Sequence, residues 1–181
     1  MSQLKIWGLA NSINVQKILW CCEELNMPYE RIDAGMNFGV NKTPEYKAMN
    51  PNGLVPTIED DGFVLGESHS ILCYLARKHS GAKLLPADPQ GSARIEQRMD
   101  WAYTSAWIPT RVIFWTLVRT PPEQRNMAEV ETNRQMLLGY LETAEKHLEK
   151  HAYFAGDAFS LADIPCGRDR LPLVQPGHRA A

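Results

Sequence analysis

Residues 3–7 alternate polar and apolar side chains (Gln3, Leu4, Lys5, Ile6, Trp7), the period of a short, half-buried strand. After a polar turn over 8–14, Val15, Ile18, Leu19, Cys22 and Leu25 recur at helical spacing, which predicts a helix over 14–25 with one apolar stripe. Asn26, Met27 and Pro28 end that helix, and residues 29–33 read as a second strand. Strand, helix and strand in this order make a βαβ unit, whose two strands run parallel. Residues 34–50 carry Gly35, Gly39 and Pro44 among many polar groups and read as a loop with one helical turn. Residues 54–59 and 63–65 are predicted strands joined by Asp60-Asp61-Gly62, a hairpin turn signal. Glu67-Ser68 then opens a helix through Ile71, Leu72, Leu75 and Ala76, with Ser68 placed to cap it.

The texture changes over 81–91, a Gly-, Pro- and Asp-containing stretch that reads as a linker, and no strand pattern follows it. Residues 92–118 are predicted helical with aromatic residues interleaved, bent or interrupted at Pro109. Pro121-Pro122 is expected to start another helix that buries Val130, Leu137, Leu141, Ala144 and Leu148. Ser160-Leu161-Ala162-Asp163 matches a capping box, Ser and Asp answering each other's backbone donors at a helix start. Pro165 follows at once, and Pro172, Pro176 and several Arg and Gly residues describe a polar tail without the helix's apolar body. The expected organisation is an α/β domain over 1–80, a linker over 81–91, an incomplete helical domain over 92–164 and a tail over 165–181.

Composition narrows the function classes. Lys and Arg number 19 against 21 Asp and Glu, so the formal net charge is −2 and the surplus cation that nucleic acid or anionic membrane demands is missing. With 44% hydrophobic and 22% charged residues, the 181-residue chain is globular and can bury a core without staples. No apolar run approaches the roughly 20 residues of a membrane span, and the first residues turn polar too early for an export signal. A cytoplasmic location is therefore expected, with Cys21, Cys22, Cys73 and Cys166 kept as thiols.

Two segments carry a more specific signal: Asn50-Pro51-Asn52-Gly53-Leu54-Val55-Pro56, and Glu67-Ser68-His69-Ser70-Ile71. Their sequence and spacing resemble the cytosolic glutathione transferases, and the opening from Asn11 to Trp20 is similar to serine-type, theta-like members. The resemblance runs from residue 1 to about 164 and implies a thioredoxin-like α/β domain with a mixed four-stranded sheet, followed by an all-α domain. It also implies glutathione as co-substrate, a small apolar electrophile as second substrate, no metal, and a homodimer.

The chemistry that would follow is thiol activation. A free thiol titrates near 8.5, and lowering that by two units takes about 2.7 kcal/mol of preferential stabilisation of the thiolate. A hydroxyl donor at a helix N-terminus, helped by the helix dipole, can supply it. Ser12 stands where serine-type relatives place this hydroxyl, with Asn11 and Asn14 as further candidate donors; standing alone, Ser12 would read as a plain N-cap. The resemblance implies a cis Val55–Pro56 peptide presenting Val55's backbone to the cysteinyl part of glutathione, beside Leu54. It assigns Ser68 to the γ-glutamyl carboxylate, Glu67 to the ammonium and Lys42 to the glycyl carboxylate. Trp107, Ile108 and Arg111 are expected to line the electrophile pocket. The chain departs from relatives with Leu54 where several carry Gln, and with His69 where Asn or Arg is more usual. No Cys stands at position 12 or 15, which disfavours a glutathione-dependent reductase. A glutathione-fold binding protein with an impaired site is the non-enzymatic alternative. Cys21 and Cys22 are expected to be buried structural thiols, and His147 and His151, at i and i+4, a solvated pair with no third metal ligand.

Overall fold

The computed structural model describes residues 3–79 and 82–167; the expected tail lies outside the described residues from 168 onward. The chain divides into two compact units, one comprising the described residues up to Ala87 and the other Asp88–Cys166.

The first unit contains β1 (Leu4–Trp7), α1 (Ile13–Glu24), β2 (Tyr29–Ile32), α2 (Pro44–Met49), β3 (Thr57–Asp60), β4 (Phe63–Gly66) and α3 (Ser68–His79). Its sheet order is β2-β1-β3-β4, with β1 and β2 parallel and the other pairs antiparallel, the mixed thioredoxin-like arrangement expected. Ile6 pairs with Ile58, and both are fully buried together with Leu4 on one face. The buried sides of α1 (Val15, Ile18, Cys21, Cys22) and α3 (Ile71, Leu72, Leu75, Ala76) supply the apolar surface that this face needs. Trp7 points the other way and joins Tyr46 and Ala34 in a second cluster, flanked by Val40, Met49 and Val55.

Several elements differ from expectation. β3 begins at Thr57, so residues 54–56 are irregular backbone. The hairpin turn is Asp61-Gly62, both at positive φ (51° and 83°), which matches the twist of the flanking strands. The expected loop over 34–50 contains two single 3₁₀ turns and α2, whose N-cap Thr43 accepts from the Tyr46 N–H at 3.2 Å. Ser68 is the first helical residue of α3 rather than its cap; Glu67 carries the carbonyl that accepts the first helical bond, from Ile71. On α1 the buried side includes Cys21 and Lys17, while Leu19 and Leu25 are only half-buried.

α1 and α3 pack against each other through a polar clasp as well as apolar contact. Lys17, only 7% exposed, places Nζ 3.0 Å from Asn14 Oδ1 and 3.4 Å from His69 Nε2. Burial, and then the neighbouring Lys17 charge, lower the His69 pKa from 6.5 to about 4, so the ring is neutral at neutral pH and Nε2 accepts from the ammonium.

The second unit is all helical: α4 (Pro89–Trp101), α5 (Trp107–Phe114), α6 (Met127–Leu148) and α7 (Asp163–Cys166). The last residues of the expected linker already belong to α4, because Asp88 accepts from the Gly91 N–H at 2.7 Å and caps the helix one residue before Pro89. The helical stretch predicted over 92–118 is interrupted by wide i→i+5 turns at Ala102–Ala106 and Trp115–Arg119 rather than at Pro109 itself. The first precedes Pro109, whose ring and missing N–H disfavour regular i→i−4 bonding there. Of the interleaved aromatic residues, Tyr103, Phe114 and Trp115 are exposed. Pro122–Gln124 forms only a 3₁₀ turn, and α6 starts later, capped by Asn126. α6 packs on α5 and the first wide turn, which buries Val130 but leaves Leu137, Ala144 and Leu148 half-buried and Leu141 exposed.

Only the Asp163 half of the expected capping box forms: the Ser160 hydroxyl accepts from the Ala162 N–H at 3.3 Å rather than from that of Asp163, and α7, a single turn that contains Pro165, begins at Asp163 itself. Asp163 Oδ2 accepts from the Ser160 N–H and hydroxyl at 2.9 and 3.1 Å, and Oδ1 from the Phe154 N–H at 2.9 Å. Ile95, Met99, Ala102, Phe154, Leu161, Ala162 and Ile164 are the buried apolar residues of this region.

Asp163→Ala leaves two buried N–H donors unpaired and should cost about 3 kcal/mol in urea unfolding, against about 1 kcal/mol for Ser160→Ala; equal losses would contradict the assignment. Because folding holds His69 neutral, its contribution is complete above 6.5 and is lost as pH falls from there towards about 4. Denaturation midpoints between pH 7 and 4 should therefore fall more steeply for the parent than for His69→Asn, which keeps an acceptor for Lys17; parallel profiles would remove His69 from the acid response.

Candidate functional site

The turn between β1 and α1 is set by Gly8. A Cβ there would stand 2.3 Å from Val15 Cγ2, so only glycine lets the backbone pass this close to the helix. Its N–H donates to the Ile32 carbonyl, and its carbonyl accepts from Arg31 Nη1, both at 2.9 Å. Ser12 follows as the N-cap of α1, its N–H donating to the Leu9 carbonyl and its own carbonyl accepting from Gln16. The Ser12 side chain makes no capping bond, so the helix does not consume its hydroxyl. The first turn of α1 holds no acidic residue, which leaves the positive end of the helix uncompensated by a carboxylate of its own. Asn11 is exposed on the same turn.

Asn14, one residue into α1, meets the start of α3. Its Oδ1 accepts from Lys17 Nζ at 3.0 Å and from Ser68 Oγ at 3.5 Å. Two helix N-termini are thus joined through one amide, with a buried ammonium behind it and no acidic residue in the first turn of α3 either. This is chemistry suited to an anion. Glu67, at the entrance to α3, is exposed and sits at φ 64°, an uncommon conformation for a residue with a side chain.

The segment from Asn50 to Pro56 is held by a closed ring of hydrogen bonds. The Tyr46 hydroxyl donates to the Leu54 carbonyl at 2.7 Å, and its oxygen is 2.7 Å from the Thr57 hydroxyl. Asn50 Nδ2 donates both to the Leu54 carbonyl (3.1 Å) and to Thr57 Oγ1 (3.0 Å). The proton count closes if Thr57 donates to Tyr46, leaving no member short. Burial raises the Tyr46 pKa and keeps the phenol protonated as a donor. Asn41 Nδ2 donates to the Gly53 carbonyl at 2.6 Å, while its Oδ1 is buried with no partner among the described residues. The Val55–Pro56 peptide is cis, as the resemblance implied. Val55 is half-buried and Pro56 buried, whereas Leu54 turns its side chain outward, 61% exposed. Lys42 is exposed, at the end of a 3₁₀ turn next to Asn41.

Ser12, Asn14, Ser68, Val55 and Pro56 all belong to the first unit. Trp107, Ile108 and Arg111 occupy one turn of α5 in the second, Trp107 half-buried and the other two exposed. Cys21 and Cys22 are buried; burial pushes Cys21 up to about 12 and Cys22 higher still, so neither forms a nucleophilic thiolate at neutral pH. The His147 and His151 rings lie 4.6 Å apart, but His147 uses Nε2 on the Phe154 carbonyl and Nδ1 on Arg98. No group of three His, Cys, Asp or Glu side chains able to hold a metal occurs among the described residues. Sequence reasoning missed Lys17, Asn41 and Tyr46. Lys17 gave no signal because it falls between Gln16 and Ile18, off the apolar stripe; Tyr46 could have been found as the aromatic three residues after a Thr-Pro helix start.

The chain is similar to known proteins over both units. Residues 11–78 match the family model "Glutathione S-transferase, N-terminal domain", and residues 106–166 match "Glutathione S-transferase, C-terminal domain". The chain is 40% identical over 163 residues to the glutathione S-transferase GstB of Escherichia coli, covering 89% of this chain and 78% of that one. It is 33% identical over 172 residues to the probable glutathione S-transferase GSTF2 of Oryza sativa subsp. japonica, covering 91% and 78%. Among solved structures, a theta-class glutathione S-transferase from Xanthomonas axonopodis pv. citri, with glutathione bound, superposes with TM-score 0.86 at 40% identity, covering 92% of this chain and 80% of that one. The chain belongs to the glutathione S-transferase family.

Proposed function

We propose that this glutathione S-transferase binds glutathione on its first unit as the thiolate and transfers it to a small apolar electrophile. The observation that carries the proposal is the meeting of the α1 and α3 N-termini at Asn14 and Ser68, with Ser12's hydroxyl unused by its own helix. Glutathione presents a thiol and two carboxylates. A donor-rich locus of two helix starts and one ammonium lowers the free energy of an anion relative to its protonated form. Ser12 is the thiolate donor in this reading, with Asn11 and Asn14 as neighbouring donors. Val55 pairs through its backbone with the cysteinyl part, beside Leu54 and Pro56. Ser68 receives the γ-glutamyl carboxylate, and Glu67, exposed and anionic, receives the ammonium. Lys42, exposed at the end of its 3₁₀ turn, takes the glycyl carboxylate.

The step itself needs no covalent enzyme intermediate. The sulfur attacks the electrophilic carbon, the leaving group departs with the bonding pair, and the proton lost on thiolate formation goes to solvent. Rate comes from thiolate population and proximity. Trp107, Ile108 and Arg111 give α5 one turn with two apolar side chains and a cation, suited to an apolar electrophile with a polarised group. No helix among the described residues is long and apolar enough to cross a membrane. A homodimer and a cytoplasmic location complete the reading, supported by family membership.

Ser12→Ala should lower turnover with a generic aryl halide by about tenfold or more, with glutathione affinity little changed and the pH–rate profile moved to higher pH. Unchanged turnover would move the donor role to Asn11 or Asn14. Failure of the parent chain both to bind glutathione and to turn over would overturn the functional reading itself.

A further inference from the structure

Asn14 has one carbonyl oxygen that accepts and one NH₂ group that donates, and the two ends are similar enough in shape that only their partners decide which faces where. Here the partners leave no choice. Lysine carries three donors and no acceptor, so the atom of Asn14 that lies 3.0 Å from Lys17 Nζ is its oxygen. The second lone pair of that oxygen takes the Ser68 hydroxyl at 3.5 Å. Nδ2 is left with two N–H donors and no protein partner among the described residues, on a side chain that is only half-buried. Lys17 is itself fixed from the α3 side: His69 Nε2, 3.4 Å away, is a lone pair on a neutral ring. A buried ammonium is costly unless acceptors surround it, so the arrangement resists the amide rotation that would point a lone pair at the site.

We infer that Lys17 is a positioning residue whose ammonium holds the Asn14 oxygen, so that the Asn14 amide is presented as a donor pair to an anionic group of bound glutathione. This rests on the glutathione reading of the site and adds a role to a residue that touches no substrate. It also accounts for a lysine buried on the side of α1 that meets His69 of α3. Any neutral replacement that can accept as well as donate would leave the amide free to turn.

The experiment compares the full-length parent with Asn14→Asp, Lys17→Met and Lys17→Arg, using calorimetric binding of glutathione and of S-methylglutathione, steady-state kinetics and thermal midpoints. Asn14→Asp keeps an oxygen for Lys17 and removes the donors. Its midpoint should stay at or above the parent's while glutathione affinity falls about tenfold or more, the worth of one hydrogen bond to a charged group. Lys17→Met should show a similar loss of affinity, and Lys17→Arg, which also donates only, should recover most of it. A loss for both ligands assigns the Asn14 donors to a carboxylate; a loss for glutathione alone assigns them to the thiolate. Wild-type affinity for both ligands in Asn14→Asp overturns the inference, whatever Lys17→Met does to folding. A parent chain that binds neither ligand overturns the functional reading and the inference with it. Kinetics separate the outcomes further, because a purely structural role for Lys17 would lower the thermal midpoint of Lys17→Met without changing the KM of the folded fraction.

Discussion

A buried ammonium dictates the character of every atom around it. Lys17 can only donate, so what approaches it must offer lone pairs, and in this fold those come from the Asn14 amide oxygen and the neutral His69 ring. Asn14 lies at the start of α1 and His69 at the start of α3, so satisfying one charge ties two helix N-termini into a single polar locus. Neither first turn contains a carboxylate, and the one at the entrance to α3, Glu67, is exposed to solvent. The apolar packing of α1 on α3 could be met by many sequences. The polar clasp fixes their relative placement to within hydrogen-bond tolerance and makes the locus electropositive at the same time.

The neighbouring segment solves a different problem by a different route. Residues 50–56 are irregular backbone beside the sheet, and irregular backbone must find partners for its carbonyls and N–H groups. Tyr46, Asn50 and Thr57 meet that demand with a ring in which each donor has an acceptor. The ring is neutral and complete, so it orders the backbone around the cis Val55–Pro56 peptide without drawing on a ligand. The clasp at Asn14 is incomplete by two donors. A frame with its hydrogen bonds closed, next to a locus with donors left over, is how a preorganised binding site is assembled without spending ligand affinity on ordering the protein.

Periodicity and turn chemistry made the βαβ–ββα order, the parallel β1–β2 pair and the Asp61-Gly62 turn legible in the sequence, because each depends on which positions are apolar or tolerate positive φ. The Asn50–Pro56 and Glu67–Ile71 segments were legible through their resemblance to a family. Lys17 was not, since pattern reading assigns a lysine to the solvated side and cannot see that Asn14 and His69, far apart in sequence, arrive to accept from it. The break of the long aromatic helix into α4 and α5 was only half-legible. Pro109 marks the trouble, but the wide turn that absorbs it lies over Ala102–Ala106, displaced towards the N-terminus as the loss of an i→i−4 bond requires. Leu141 failed because a 3.6-residue stripe predicts which side chains share a face, not how much of that face a neighbour covers.

The two units contain buried or half-buried polar side chains of similar kind, and remaining hydrogen-bond capacity separates the site from the scaffold. Asp163 in the second unit is fully buried, yet it accepts from Ser160 twice and from Phe154 once, so its oxygens are spent on the turn that leads into α7 and have little capacity to recognise a ligand. His147 likewise has both ring nitrogens engaged, one donating to the Phe154 carbonyl and one accepting from Arg98, so the pair with His151 offers no free nitrogen pair to a metal without breaking contacts that hold α6 to α4 and to the residue 154 backbone. Asn14 and Ser12 differ in retaining an NH₂ group without a partner among the described residues and a hydroxyl that its own helix does not use. Both lie in the first unit, beside the backbone turn fixed by Gly8, at the cap and in the first turn of α1. Their positions are set by the fold while their hydrogen bonds are not, which is the physical condition for binding a polar anion such as glutathione with little reorganisation.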